Sequence, residues 1–277
     1  MPELAEVEHG RRMLDRLARG KRVVDAWCAD DDIVIEATPS EVVGALHGAT
    51  ITGAHRWGKQ LWIAFDRPPC VCLHFGMTGG IRTPGDDPLV LESSGADVDR
   101  AWPPRFCKLH VTLDDGTRFG FVNSRRLGRV RLRDDPRNQP PISKLGFDPF
   151  LAMPGKKEFA ALVKRRKIPI KALLLDQKFA AGVGNWIADE VLYQARVRPR
   201  RRADRLRLVE IEALRAALSS VVGAAVAVDA RKDEFPAEWL FHRRWGKQKD
   251  ATTHDGHAIR HDDIGGRTTA WVPTVQR

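Results

Sequence analysis

The strongest constraint on the fold is a change of hydrophobic period along the chain. Leu4, Val7, Arg11, Leu14 and Leu17 recur at helical spacing from a start at Glu3, and Gly20 ends the run. From Arg22 to about Val130 the pattern becomes short β-like runs broken by turns, at 23–27, 33–37, 60–65, 71–75, 109–113 and 117–122. Asp114-Asp115-Gly116 separates the last two and predicts a hairpin. A stretch carrying Pro136, Pro140, Pro141, Pro149 and Pro154 then reads as a linker over 134–154. Beyond it the helical period returns, at 156–164, 170–177, 186–194 and 206–228. The chain is therefore expected to be α+β, with an N-terminal β-sandwich or barrel capped by one helix over 1–133. A helical domain over 155–237 follows, then a small β appendage over 238–277 in which 268–272 forms one arm of a hairpin.

Composition narrows the function. Over 277 residues, 46 Lys and Arg against 36 Asp and Glu give a net charge of +10, which favours a polyanionic partner such as nucleic acid. No apolar run approaches the ~20 residues that span a bilayer, and the acidic, helix-patterned opening does not read as a signal peptide. Cys28, Cys70, Cys72 and Cys107 lack the spacing of a metal knuckle and are expected to be free thiols.

Two motifs carry chemistry. The opening Met-Pro-Glu-Leu-Ala-Glu-Val-Glu reads as a helix start, with proline and glutamate in the first turn. It also reads as a processed N-terminus, because a small second residue permits removal of Met1 and leaves Pro2 as a terminal secondary amine. An α-amine titrates near 8 against about 10.4 for lysine, so far more of it is free base at neutral pH. A secondary amine that attacks a sugar C1′ forms an iminium, the electron sink that elimination requires, and Glu3 is placed to move protons beside it. The second motif is Gly182-Val183-Gly184-Asn185, leading into Trp186–Tyr193. A glycine-rich turn between two helices, with Asn185 as N-cap, presents N–H groups and a positive dipole end to a phosphate.

With Pro2-Glu3-Leu4…Glu6-Val7-Glu8, the run from Leu173 to Tyr193 and the tail Gly265-Gly266-Arg267-Thr268-Thr269, in this order across the whole chain, the sequence resembles the formamidopyrimidine-DNA glycosylase / endonuclease VIII family. The wording Asn185-Trp186-Ile187-Ala188-Asp189-Glu190 and the stretch Trp239-Leu240-Phe241-His242 look most like its plant and fungal branch. The resemblance implies a catalytic β-sandwich, a helix–two-turn–helix domain and a finger hairpin. It implies Pro2 as Schiff-base nucleophile and Glu3 as acid/base. Lys59 in the turn Arg56-Trp57-Gly58-Lys59, Asn185, and Arg267 at the tip of the finger hairpin would hold phosphates flanking a lesion. Flipping a base out of a duplex leaves a gap. Met77 in His74-Phe75-Gly76-Met77-Thr78-Gly79 and the trio Arg125-Arg126-Leu127 match the elements that fill it. Leu127 stands where the family has an aromatic residue, so it can wedge but not stack.

Many relatives end in a four-cysteine zinc finger. Here Trp271-Val272-Pro273-Thr274-Val275 places valines at the last pair, and residues 245–249 lack the first. His254, His257 and His261 are read as a solvated loop, since no thiolate completes a tetrahedron. The expectation is a zincless finger held by hydrophobic packing, with no metal and no cofactor. The resemblance thus implies a monomeric glycosylase and abasic-site lyase acting on double-stranded DNA with oxidised bases or abasic sites, through successive β- and δ-elimination. A catalytically silent DNA-damage-binding protein is the alternative. The family's intact-purine reader uses a long loop ahead of the finger hairpin; the segment 229–238 is short, as in the plant-like branch, so the resemblance implies weak action on 8-oxoguanine and stronger action on hydantoins and formamidopyrimidines. The expected location is the cytoplasm, with the nucleoid, in a prokaryote and the nucleus in a eukaryote.

Overall fold

The computed structural model describes residues 1–85, 101–246 and 250–277. Its contacts divide the chain into Met1–Lys144 and Leu145–Arg277.

In the first unit, α1 (Leu4–Ala18) follows Glu3 as N-cap and buries Leu4, Val7, Leu14 and Ala18 along one face. After β1 (Val23–Cys28), α2 (Pro39–Leu46) starts on a capping box, in which Thr38 accepts the Glu41 N–H and Glu41 accepts the Thr38 N–H. The remaining strands are β2 (Ile51–Trp57), β3 (Gln60–Phe65), β4 (Cys70–His74), β5 (Gly80–Arg82), β6 (Cys107–Leu113), β7 (Arg118–Val122) and β8 (Arg129–Arg133). They form two four-stranded sheets, in the orders β1-β6-β7-β5 and β2-β3-β4-β8. Val23, Val111, Phe119 and Phe121 from one sheet, Leu61, Ile63, Val71 and Leu73 from the other, and Val7 and Leu14 from α1 share one core. This is the helix-capped sandwich that the period change called for.

The expected strand at 33–37 does not form, and only an isolated bridge joins Ile35 to Val130. The Asp31 carboxylate captures the N–H groups of Ile33 and Val34, at 3.2 and 3.3 Å, and bends that segment into a turn. Four elements of this unit escaped the periodicity: α2, β2, the three-residue β5, and β8, whose Arg-Val-Arg-Leu-Arg wording looks like a charged loop until it pairs with β4.

The second unit contains α3 (Lys156–Lys164), α4 (Ile170–Leu175), α5 (Asn185–Gln194) and α6 (Leu208–Ala227). Helix α5 is buried continuously from Trp186 to Leu192, and Trp186 packs on Phe235 and Phe241. A two-stranded hairpin follows, β9 (Arg260–Ile264) and β10 (Arg267–Trp271). Its turn is Gly265-Gly266 at φ 61 and 70, the left-handed pair that a tight two-residue hairpin needs. Leu240, Ile259, Ala270 and Val272 bury the hairpin's base. Among the described residues no helix is long and apolar enough to cross a membrane.

Candidate functional site

In the first unit, the terminal amine of Met1 lies in a half-closed corner. Burial pushes it below its ordinary value, Glu3 and Glu6 pull it back, and Lys59 and Arg125 press it further down. Pro2 is buried and Glu3 is only 2% exposed. Glu6 accepts the Glu3 backbone N–H at 2.9 Å. Its own carboxyl is pushed up to about 7, by burial first and then by the charge of Glu3. Two acids, one of them protonatable near neutrality, thus stand beside an amine whose free-base form is favoured. That combination suits proton transfer around a nucleophilic amine.

Lys59 occupies the turn between β2 and β3, after Gly58 at φ 59. Buried Arg56 fixes that turn: its Nε donates to Glu8 Oε2 on α1, and Nη1 to the Gly58 carbonyl, both at 2.9 Å. Helix α1 and the lysine turn are therefore tied by one guanidinium. His74, opposite Gln60 on β4, is drawn down to about 4 by burial, with Lys59, Arg131 and Arg129 adding to the effect. The ring is neutral at physiological pH.

Met77 and the 125–127 trio belong to adjoining turns. The Asn123 amide is fully buried; its Nδ2 donates to the Phe75 carbonyl, and its Oδ1 accepts the Gly128 N–H, both at 2.9 Å. Thr78 and Ser124 hydroxyls meet at 2.9 Å. Gly76 sits at φ +63, where a Cβ would lie 2.4 Å from the Leu127 carbonyl carbon, so only glycine fits. Arg125 and Leu127 project into solvent. Arg126, at φ 53, instead turns its guanidinium onto Asp31, with Nη2 to Oδ1 at 2.8 Å and Nε to both oxygens at 3.1 Å. Lys108 Nζ meets the same carboxylate at 2.7 Å. The hydrogen bonds from Arg126, followed by Lys108, hold Asp31 well below the usual carboxylate range.

In the second unit, Gln177 organises the loop between α4 and α5: its amide donates to the carbonyls of Leu175 and Val183 and accepts the Gly182 N–H. That engagement ends α4 at Leu175 rather than at the expected 177. Gly184, not Asn185, is the N-cap of α5. Asn185 is the first helical residue, and its side chain donates to the Thr268 carbonyl at 2.8 Å, beside exposed Arg267 at the head of β10. The cap expected of Asn185 is thus replaced by a tertiary bond to the hairpin.

Sequence reading missed a buried ionic cluster in this unit, formed by Lys171, Asp189 and Arg244. The available signal was a lysine and an aspartate inside otherwise apolar helical stretches. Of the tail histidines, His261 Nε2 bonds the Arg244 carbonyl and His257 Nδ1 faces Thr274 Oγ1. Among the described residues no three His, Cys, Asp or Glu groups converge on one point. Residues 247–249, part of the expected missing cysteine pair, lie outside the described residues.

Comparison with known proteins gives one consistent result. The model of the formamidopyrimidine-DNA glycosylase N-terminal domain matches residues 1–130, and that of the H2TH domain of the same enzyme matches residues 145–236. A formamidopyrimidine-DNA glycosylase of Arabidopsis thaliana is 42% identical over 278 aligned residues, covering 100% of this chain and 71% of the relative. One from Geobacter metallireducens is 31% identical over 288, with both chains fully covered. The crystal structure of the Lactococcus lactis enzyme, bound to DNA containing an abasic site, matches with a TM-score of 0.81 at 22% identity, covering 99% of each chain.

Proposed function

Because the chain belongs to the formamidopyrimidine-DNA glycosylase family, we propose that it excises oxidised bases from double-stranded DNA and then cleaves the abasic strand. The observation that carries this reading is the amine corner, where a half-buried N-terminus, Glu3, Glu6 and Lys59 act on one another. Once Met1 is removed, the Pro2 nitrogen attacks C1′ of the damaged nucleoside, and the base departs with the glycosidic electron pair and a proton. The C1′–O4′ bond then breaks as O4′ takes a proton, which gives the iminium; C2′ loses a proton as the 3′ phosphate leaves, and loss of a C4′ proton in a second elimination releases the 5′ phosphate. Glu3 moves protons during ring opening, with Glu6 as a second protonatable carboxyl alongside.

Lys59, Asn185 and Arg267 hold backbone phosphates. Met77, Arg125 and Leu127 fill the gap left by the flipped base, with neutral His74 supporting the Met77 turn. Arg126, anchored on Asp31, acts on DNA by setting the tip from which its neighbours project. In this reading the catalytic sandwich covers 1–133, the linker 134–154, the helix–two-turn–helix domain 155–237 and the zincless finger 238–277. The enzyme works as a monomer without a cofactor, at the nucleoid of a prokaryote or in the nucleus of a eukaryote.

Borohydride reduction on a lesion-containing duplex should trap a covalent adduct, and peptide mapping should place it on Pro2. Absence of an adduct in protein whose mass confirms Met1 removal leaves the catalytically silent DNA-damage-binding protein as the reading.

A further inference from the structure

We infer that Asp189 is a positioning residue that sets the reach of Arg267 and Asn185 toward DNA, by fixing the register of the hairpin that carries Arg267. This rests on the assignment of Arg267 to a phosphate. Asp189 is fully buried on α5. Its Oδ2 accepts Arg244 Nε and Nη2, at 3.1 and 2.6 Å, and the backbone N–H of Ala270, at 3.1 Å. Its Oδ1 receives Lys171 Nζ, which also donates to the Asn185 carbonyl at 2.9 Å.

One carboxylate therefore joins α4, α5 and the segment before the hairpin to the backbone of β10. Ala270 lies three residues beyond Arg267 on the same strand, and the Asn185 amide adds a rung at Thr268. The facing strand is tied in as well, because the His261 ring donates to the Arg244 carbonyl at 3.2 Å. Apolar packing around Leu240, Ile259 and Val272 also buries the hairpin, as the sequence suggested. Packing of that kind is non-directional and tolerates small slips. A buried carboxylate does not: a displaced donor leaves charge unsatisfied in a dry interior, so one register is selected.

The test is a mutant cycle between Asp189 and Arg267, read as binding to a duplex carrying a non-cleavable abasic-site analogue over a salt series. Arg267→Ala should weaken binding and lower the slope of log affinity against log salt by about 0.9, the signature of one lost phosphate contact. Asp189→Asn should reproduce both effects, although loss of a negative charge alone would strengthen DNA binding. The double variant should bind no more weakly than the weaker single variant. Folded Asp189→Asn protein with wild-type affinity and slope, or additive losses in the double variant, overturns the inference. An unchanged slope in Arg267→Ala alone overturns the phosphate assignment and this inference together. Should Asp189→Asn not fold, Asp189→Leu/Lys171→Met/Arg244→Leu removes the three charges at once. The lowered slope should persist in that variant, and full recovery of binding would show that Asp189 only stabilises the fold.

Discussion

Asn123 offers a quantitative test of how the Met77 turn and the turn at 125–127 are held together. Asn123→Ala deletes both of its bonds, to the Phe75 carbonyl and from the Gly128 N–H. The Gly128 N–H is buried and loses its partner outright, which costs about 1–3 kcal/mol. The Phe75 carbonyl retains the Gly79 N–H at 2.8 Å, so its share is smaller. A total of about 2–4 kcal/mol follows, with entry of a water recovering part of it. Asn123→Asp separates the two bonds. An aspartate oxygen still accepts from Gly128, but the other faces the Phe75 oxygen and must be protonated to bond there. The folded-state pKa of that aspartate then lies above its unfolded value. Its stabilising contribution is complete at low pH and is lost as pH rises through the folded pKa. Chemical denaturation followed by tryptophan fluorescence, at pH 5 and pH 7.5, should show Asn123→Asp approaching wild type only at the lower pH. Asn123→Ala should remain uniformly destabilised. A loss below about 0.5 kcal/mol in the alanine variant, the scale of an ordinary surface substitution, would refute the reasoning.

Buried Glu190 is pushed up to about 7, chiefly by desolvation, so the folded protein keeps a proton that the unfolded chain releases from about 4.3 upward. Stability is lost as pH rises across that window, and Glu190→Gln should remove a slope of up to about 1.4 kcal/mol per pH unit between pH 5 and 7. His74 has the opposite sign: its ring is drawn down to about 4, so it contributes stability above an unfolded value near 6.5 that is lost on acidification. Replacing His74 with Gln should flatten the acid limb of the stability profile. A non-cleavable extension ahead of Pro2 should abolish borohydride trapping and leave binding to an abasic-analogue duplex largely intact; trapping through such an extension would exclude the terminal amine. Single-turnover rates should favour guanidinohydantoin over 8-oxoguanine, and the reverse order would overturn the substrate expectation.

Helix α1, both arms of the β6–β7 hairpin, α3 and α6 were legible as elements because each follows its own local period. The runs around Pro2 and Asn185 stood out as local motifs, whereas Lys59 and Met77 were singled out only through the family resemblance. Where reading failed, a distant partner had overridden local preference. The segment 33–37 is a β-branched run that reads as a strand, but Asp31 takes the N–H groups of Ile33 and Val34, and Arg126 and Lys108 take the carboxylate. Strand β8 reads as charged surface because its arginines pair with Glu36 only after folding. The amino-acid order determined which side chains were available for chemistry, and the period change determined where each layer began. Only tertiary structure decided which of those side chains were committed. It turned Arg126 away from its neighbours onto a buried acid, made Asn185 a strut to Thr268 instead of a helix cap, and set the register of the finger hairpin through Asp189. Each of these depends on a charge or amide meeting a partner remote in sequence, and a local period carries no record of such a meeting.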